Sequence, residues 1–108
     1  MRDYQPTTGG YTLPKTLYKR LLAVVRDYDR QKARCRRLES GSREREEAAR
    51  ELEAVEKALN VVPEELRQAV FGKIKDDVWP IDVPAGKNLP AYWKSRYLYR
   101  VAEELKLL

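Results

Sequence analysis

The sequence predicts an all-α fold, an antiparallel helical hairpin followed by a C-terminal helix-turn-helix-like pair of helices. Three observations carry this. Over residues 17–38 apolar side chains recur at spacings of three and four, the period of one helix face. Residues 43–59 are almost entirely Arg, Glu, Ala, Leu and Lys, the strongest helix formers. No apolar–polar alternation long enough for a strand appears anywhere.

The elements follow in order. Residues 1–12 hold Pro6, Gly9 and Gly10 among polar side chains and read as an extended arm. Thr12 can cap a helix that opens at Leu13 with Pro14 in its first turn. Leu17, Leu21, Val24, Tyr28, Gln31, Cys35 and Leu38 then form a heptad seam to about Glu39, a helix roughly 39 Å long. In the linker at residues 40–42, Gly41 can take the left-handed cap geometry and Ser42 can cap the next helix. The second seam, Ala48 or Ala49, Leu52, Val55, Leu59 and Val62, is out of phase with the first. That mismatch favours a turn at Gly41 over one long rod.

Asn60 ends the second helix, and Pro63 followed by Glu64 and Glu65 starts a third, to about Lys75. Its apolar face is Leu66, Val70 and Ile74, with Ala69 and Phe71 beside them. Residues 76–87 carry Pro80, Pro84 and Gly86 and cannot be helical throughout. Trp79 and Ile81 are expected to fold back onto the core. Asn88 caps the last helix, whose inward stripe is Pro90, Tyr97, Leu98, Val101, Leu105 and Leu108. The domain reading is therefore an arm (1–12), a hairpin suited to self-association (13–60) and a helix-turn-helix-like region (61–108).

Composition narrows the function. The 108 residues are 36% charged, with a net charge of +5, a pI near 9.4 and a mean hydropathy of -0.71. One modest core is affordable, and acidic partners are favoured. There is one cysteine and no histidine, so an internal disulfide and a Cys/His zinc site are excluded. No nucleophile–base–orienter set is present, so an enzyme is not expected, nor is a cofactor or a bound metal. No apolar run reaches membrane-spanning length. No membrane partner is expected, and the expected location is the cytoplasm.

The last helix concentrates what chemistry there is. Its outer side mixes aromatics with bases, namely Tyr92, Arg96 and Tyr99 with Arg100 on the flank. Lys87, Lys94, Arg96 and Arg100 also crowd its first two-thirds, ahead of Glu103 and Glu104. The macrodipole favours the reverse order. Arg96 and Arg100 are read as reaching base edges, and Lys87 and Lys94 as holding phosphates. Tyr92 and Tyr99 lie outside the apolar stripe and fit a phosphate contact or a protein interface. The basic run of Arg30, Lys32, Arg34, Arg36 and Arg37 reads first as the wet side of the hairpin. A phosphate-tracking ridge is the alternative, weakened by Asp27 and Asp29.

Three segments together resemble phage and prophage transcriptional regulators of the RinA/ArpU type. They are Ala58-Leu59-Asn60-Val61-Val62-Pro63-Glu64-Glu65-Leu66-Arg67, then Val78-Trp79-Pro80-Ile81-Asp82, then the helix from Tyr92 through Leu105. Val25-Arg26-Asp27-Tyr28-Asp29-Arg30 is similar to the first helix of that family. The resemblance implies a helix-turn-helix like that of sigma factors, double-stranded DNA as partner, contact with RNA polymerase and a host bacterial cytoplasm. It matches Trp93, Lys94, Arg96, Tyr97 and Arg100 to the family's aromatic–basic helix. The connector at 40–42 is shorter, and the loop at 76–87 longer, than that pattern asks. The alternative is a phage assembly or packaging protein acting through helical protein–protein contacts.

Overall fold

The computed structural model describes residues 13–38, 41–83 and 89–108. Its fold is all-α: five helices and two short 3₁₀ turns, with no strand among the described residues. The helices are α1 (Lys15–Arg26), α2 (Tyr28–Arg37), α3 (Arg43–Ala58), α4 (Arg67–Asp76) and α5 (Leu89–Glu104). The 3₁₀ turns, Leu59–Val61 and Glu64–Leu66, join α3 to α4.

The long first helix of the sequence reading is interrupted at one residue. Asp27 takes φ -89° and ψ 5°, and Arg30 grips its carboxylate with two bonds of 2.7 and 2.8 Å. The backbone ladder carries on across it, from Asp27 N–H to the Ala23 carbonyl and from Gln31 N–H to the Asp27 carbonyl, both 3.0 Å. Pro14 precedes α1 instead of sitting inside it, its carbonyl accepting from Tyr18 N–H at 2.9 Å. Thr12 and Glu39 lie outside the described residues.

Above the interruption, α1 buries Tyr18, Leu21, Leu22 and Val25 against α4 and α5. Below it, α2 buries no residue fully and packs mainly on α3, while Tyr28 and Asp29 in its first turn reach Phe71 and Lys75 of α4. The rungs between α2 and α3 run antiparallel. Tyr28 Oη donates to Glu56 at 2.6 Å, Gln31 Nε2 donates to Glu51 at 2.8 Å, and the Cys35 thiol points to the Arg45 carbonyl at 3.9 Å. Gly41 has the left-handed φ of 84°, which a side chain resists. Ser42 Oγ accepts from Arg45 N–H at 3.2 Å, a cap worth about 1 kcal/mol.

α5 is the most enclosed element, packed against α1, α3 and α4. Tyr97, Leu98, Val101 and Ala102 are wholly buried there. They meet Ala54, Val55 and Ala58 of α3, Val70 and Ile74 of α4, and Val62 from the connection. Three arginines from neighbouring segments close C-terminal carbonyls, where helix dipoles favour cations. Arg26 donates to Ile74, Arg50 to Leu105, and Arg67 to both Leu59 and Val62, at 3.0–3.2 Å.

Two expectations fail at chain turns. Ile81 is fully exposed (104%), because the turn over 80–83 is closed by Val83 N–H to the Pro80 carbonyl and Trp79 Nε1 to the Val83 carbonyl. Trp79 alone of that pair packs on the core. Leu108 is also exposed (58%). Lys106 ends α5 in a left-handed conformation (φ 57°), and Leu107 N–H turns back to the Ala102 carbonyl, so Leu108 leaves the helix stripe.

Candidate nucleic-acid interface

The geometry of α5 sorts the six residues assigned to DNA contact. Its buried positions, Lys94, Ser95, Tyr97, Leu98, Val101 and Ala102, span about 160° of the helix circumference at about 100° per residue. What stays open is a single stripe of half-exposed side chains: Tyr92, Trp93, Arg96, Tyr99 and Arg100, ending at the exposed Glu103.

Within that stripe Arg96 is held from two sides. Its guanidinium donates to Tyr92 Oη at 3.1 Å and lies 5.5 Å from the centre of the Trp93 ring. Tyr92 and Trp93 meet edge to face at 4.9 Å. One turn on, Arg100 reaches Glu104 at 2.5 Å and Glu103 at 3.5 Å, so its charge is largely compensated within the helix. Arg96, Tyr99, Arg100 and the two glutamates line an open groove of about 550 Å³ whose other wall is Lys57, Asn60 and Val61 at the end of α3. Lys57 joined this site unnoticed in the sequence, where it stood in an alternating charge run. Only the packing of α3 on α5 brings it there.

Lys94 does not face outward. It is 5% exposed, with its ammonium 5.6 Å from the centre of the buried Tyr18 ring. A phosphate-holding role for it is therefore corrected: Lys94 falls in the middle of the spacing Lys94–Tyr97–Leu98–Val101–Leu105 and goes inward with it. Lys87 and the cap Asn88 lie outside the described residues.

Charge beside Lys94 predicts a local acid response. Asp77 sits in the left-handed position after α4, with Lys73 Nζ 3.1 Å from its carboxylate. That hydrogen bond, with the fields of Lys73 and Lys94, holds its carboxyl below the usual 3.8. Arg30 does the same to Asp27. A depressed folded pKa contributes stability above the unfolded value and loses it as pH falls through the folded one. Urea midpoints are thus expected to be flat from about pH 7 to 5 and to fall below about pH 4. Asp77→Asn, which tolerates the same backbone, should flatten that fall. An unchanged acid limb in Asp77→Asn would exclude Asp77 as a source.

No protein-family model, curated protein or solved structure matches this chain. Among the described residues no cluster of His, Cys, Asp and Glu could hold a metal ion, and no helix is long and apolar enough to cross a membrane.

Proposed function

We propose that this protein binds double-stranded DNA through the open stripe of α5 and acts as a transcription regulator of the phage type its sequence resembles. One observation carries the reading. On a helix otherwise enclosed by its neighbours, the side left open presents Arg96, braced by Tyr92 and Trp93, with Tyr99 and Arg100 beside it. A guanidinium fixed by aromatic neighbours is pre-organised for bidentate contact with a guanine edge. The bracing of Arg96 by Tyr92 and Trp93 is what assigns it the base contact in this reading. In this reading α4 and α5 play the parts of a helix-turn-helix pair, and the α2–α3 hairpin is left for self-association or polymerase contact.

Fluorescence anisotropy on fragments of the neighbouring genome, titrated with salt, tests it. About four phosphate contacts give a log–log slope near −3.6, with one fragment bound at least roughly tenfold more tightly than the rest. Arg96→Ala should reduce affinity for that fragment about 10- to 100-fold and leave helicity and melting near wild type. Equal, weak binding to every fragment would remove the regulator reading.

A second reading, a phage assembly component, has its own observation. The groove on α5 mixes Lys57, Arg96 and Arg100 with Glu103 and Glu104, and charges of both signs suit a protein partner better than a polyanion. A large closed ring in sedimentation, without duplex binding, would favour it.

A further inference from the structure

With Lys94 buried, α5 offers few cations to hold a phosphate backbone, yet the chain has a large unused supply elsewhere. Residues 15–37 hold nine Lys and Arg against two Asp, a formal +7 where the whole chain carries +5. Helix α3 holds four Lys and Arg against six Glu, so positive charge is concentrated on α1 and α2.

The arrangement is ordered. Lys15, Lys19, Arg26, Arg30 and Arg37 follow one another at steps of four, seven, four and seven, so they share one face across both helices. On α2 that face lies opposite Tyr28, Gln31 and Cys35, which meet α3, and on α1 it flanks the buried Tyr18, Leu21, Leu22 and Val25. Lys15, Lys19 and Arg37 are exposed, as are Lys32 and Arg36 on the adjoining side. Among the described residues no carboxylate pairs with any of these five. Arg30 is bonded twice to Asp27 with its side chain 72% exposed, and a guanidinium's five N–H donors leave others for a phosphate. Arg26 alone is engaged inside the fold.

We infer that the outer face of α1 and α2 is a second DNA-contacting surface, a ridge in which Lys15, Lys19, Arg30 and Arg37 grip the phosphate backbone of a duplex. From Lys15 to Arg37 the ridge measures about 33 Å at 1.5 Å per residue, close to one turn of B-DNA. Its composition argues against a membrane surface, which needs large apolar side chains along the bound helix. The exposed large hydrophobics among the described residues are Val78, Ile81 and Leu108, none of them on α1 or α2. The inference rests on the DNA-binding reading above and divides the work: the ridge supplies affinity without sequence preference, and Arg96 supplies discrimination.

The test is a salt titration of a labelled duplex of random sequence with the full chain. Lys19→Ala/Arg37→Ala should make the log–log slope shallower by about 1.8 and weaken binding at least roughly tenfold near 0.1 M salt. Lys73→Ala/Lys106→Asn, which removes two charges away from the ridge, should leave the slope in place. Circular dichroism and melting of the ridge variant should match wild type, since Lys19 and Arg37 are exposed. An unchanged slope in the ridge variant, alongside weakened fragment binding in Arg96→Ala, overturns the ridge and leaves the α5 reading standing. Absence of duplex binding by the wild type, with or without binding to phosphatidylserine vesicles, overturns both.

Discussion

Tyr97→Ala is expected to remove a large part of the chain's stability. The Tyr97 ring is wholly buried at the meeting of α5 with α3, and its hydroxyl donates to the Val55 carbonyl at 2.8 Å. Removing a buried aromatic costs about 3–5 kcal/mol, against a total of about 5–15 kcal/mol for a small domain. Burial also holds the phenol neutral far above its ordinary range, so the loss should not depend on pH near neutrality. Tyr97→Phe keeps the ring and removes only the hydrogen bond, for about 0.5–1.5 kcal/mol. Urea unfolding followed by far-ultraviolet circular dichroism separates the two. A Tyr97→Ala protein within about 1 kcal/mol of wild type would be incompatible with this core.

Lys94 carries the second large effect, on stability and not on DNA affinity. Lys94→Glu would place a carboxylate in a 5% exposed site beside the Tyr18 ring. An unpaired buried charge of that kind costs about 3 kcal/mol or more. Lys94→Met preserves the packed stem and loses the ammonium's interactions, of which the attraction for the Tyr18 ring alone is worth about 1–2 kcal/mol. In the salt titration, Lys94→Met should keep the wild-type slope. A slope shallower by about 0.9 in a folded Lys94→Met protein would mean that Lys94 reaches a phosphate after all.

Lys94 also marks the limit of what the sequence revealed about the site. Helical spacing placed Tyr92, Arg96, Tyr99 and Arg100 outside the apolar stripe, and they do share the open side of α5. The same spacing puts Lys94 among Tyr97, Leu98 and Val101, and position outweighs charge there. Ser95 and Ala102, both buried, widen the inward face beyond a two-position stripe because three helices close on α5 instead of one. The helical class was legible because periodicity and propensity are local properties. The break at Asp27 was not, because it interrupts the helix without Pro or Gly and without losing the backbone ladder. Ile81 shows the reverse error: apolar character in a proline-rich turn does not fix which way the turn is closed. Lys57 illustrates contacts that arise from packing alone, with nothing local to announce them.

The absence of any fully buried side chain on α2 has a consequence for how the molecule breathes. The rungs that tie α2 to α3 are mostly polar, and Gln31 Oε1 is buried without a hydrogen bond among the described residues. Tyr28, at the upper end, is more firmly held. Its hydroxyl donates to Glu56, which pushes its pKa up to about 12, and its ring meets Phe71 edge to face. Below that rung little apolar surface is released when α2 peels away, so opening there demands far less free energy than global unfolding. The α2–α3 end is therefore expected to act as a forearm that frays and recloses ahead of the block of α1, α4, α5 and the last turns of α3. Much of the cationic ridge lies on that forearm. A duplex that neutralised it would also quiet it, so binding and local ordering would be two readouts of one event.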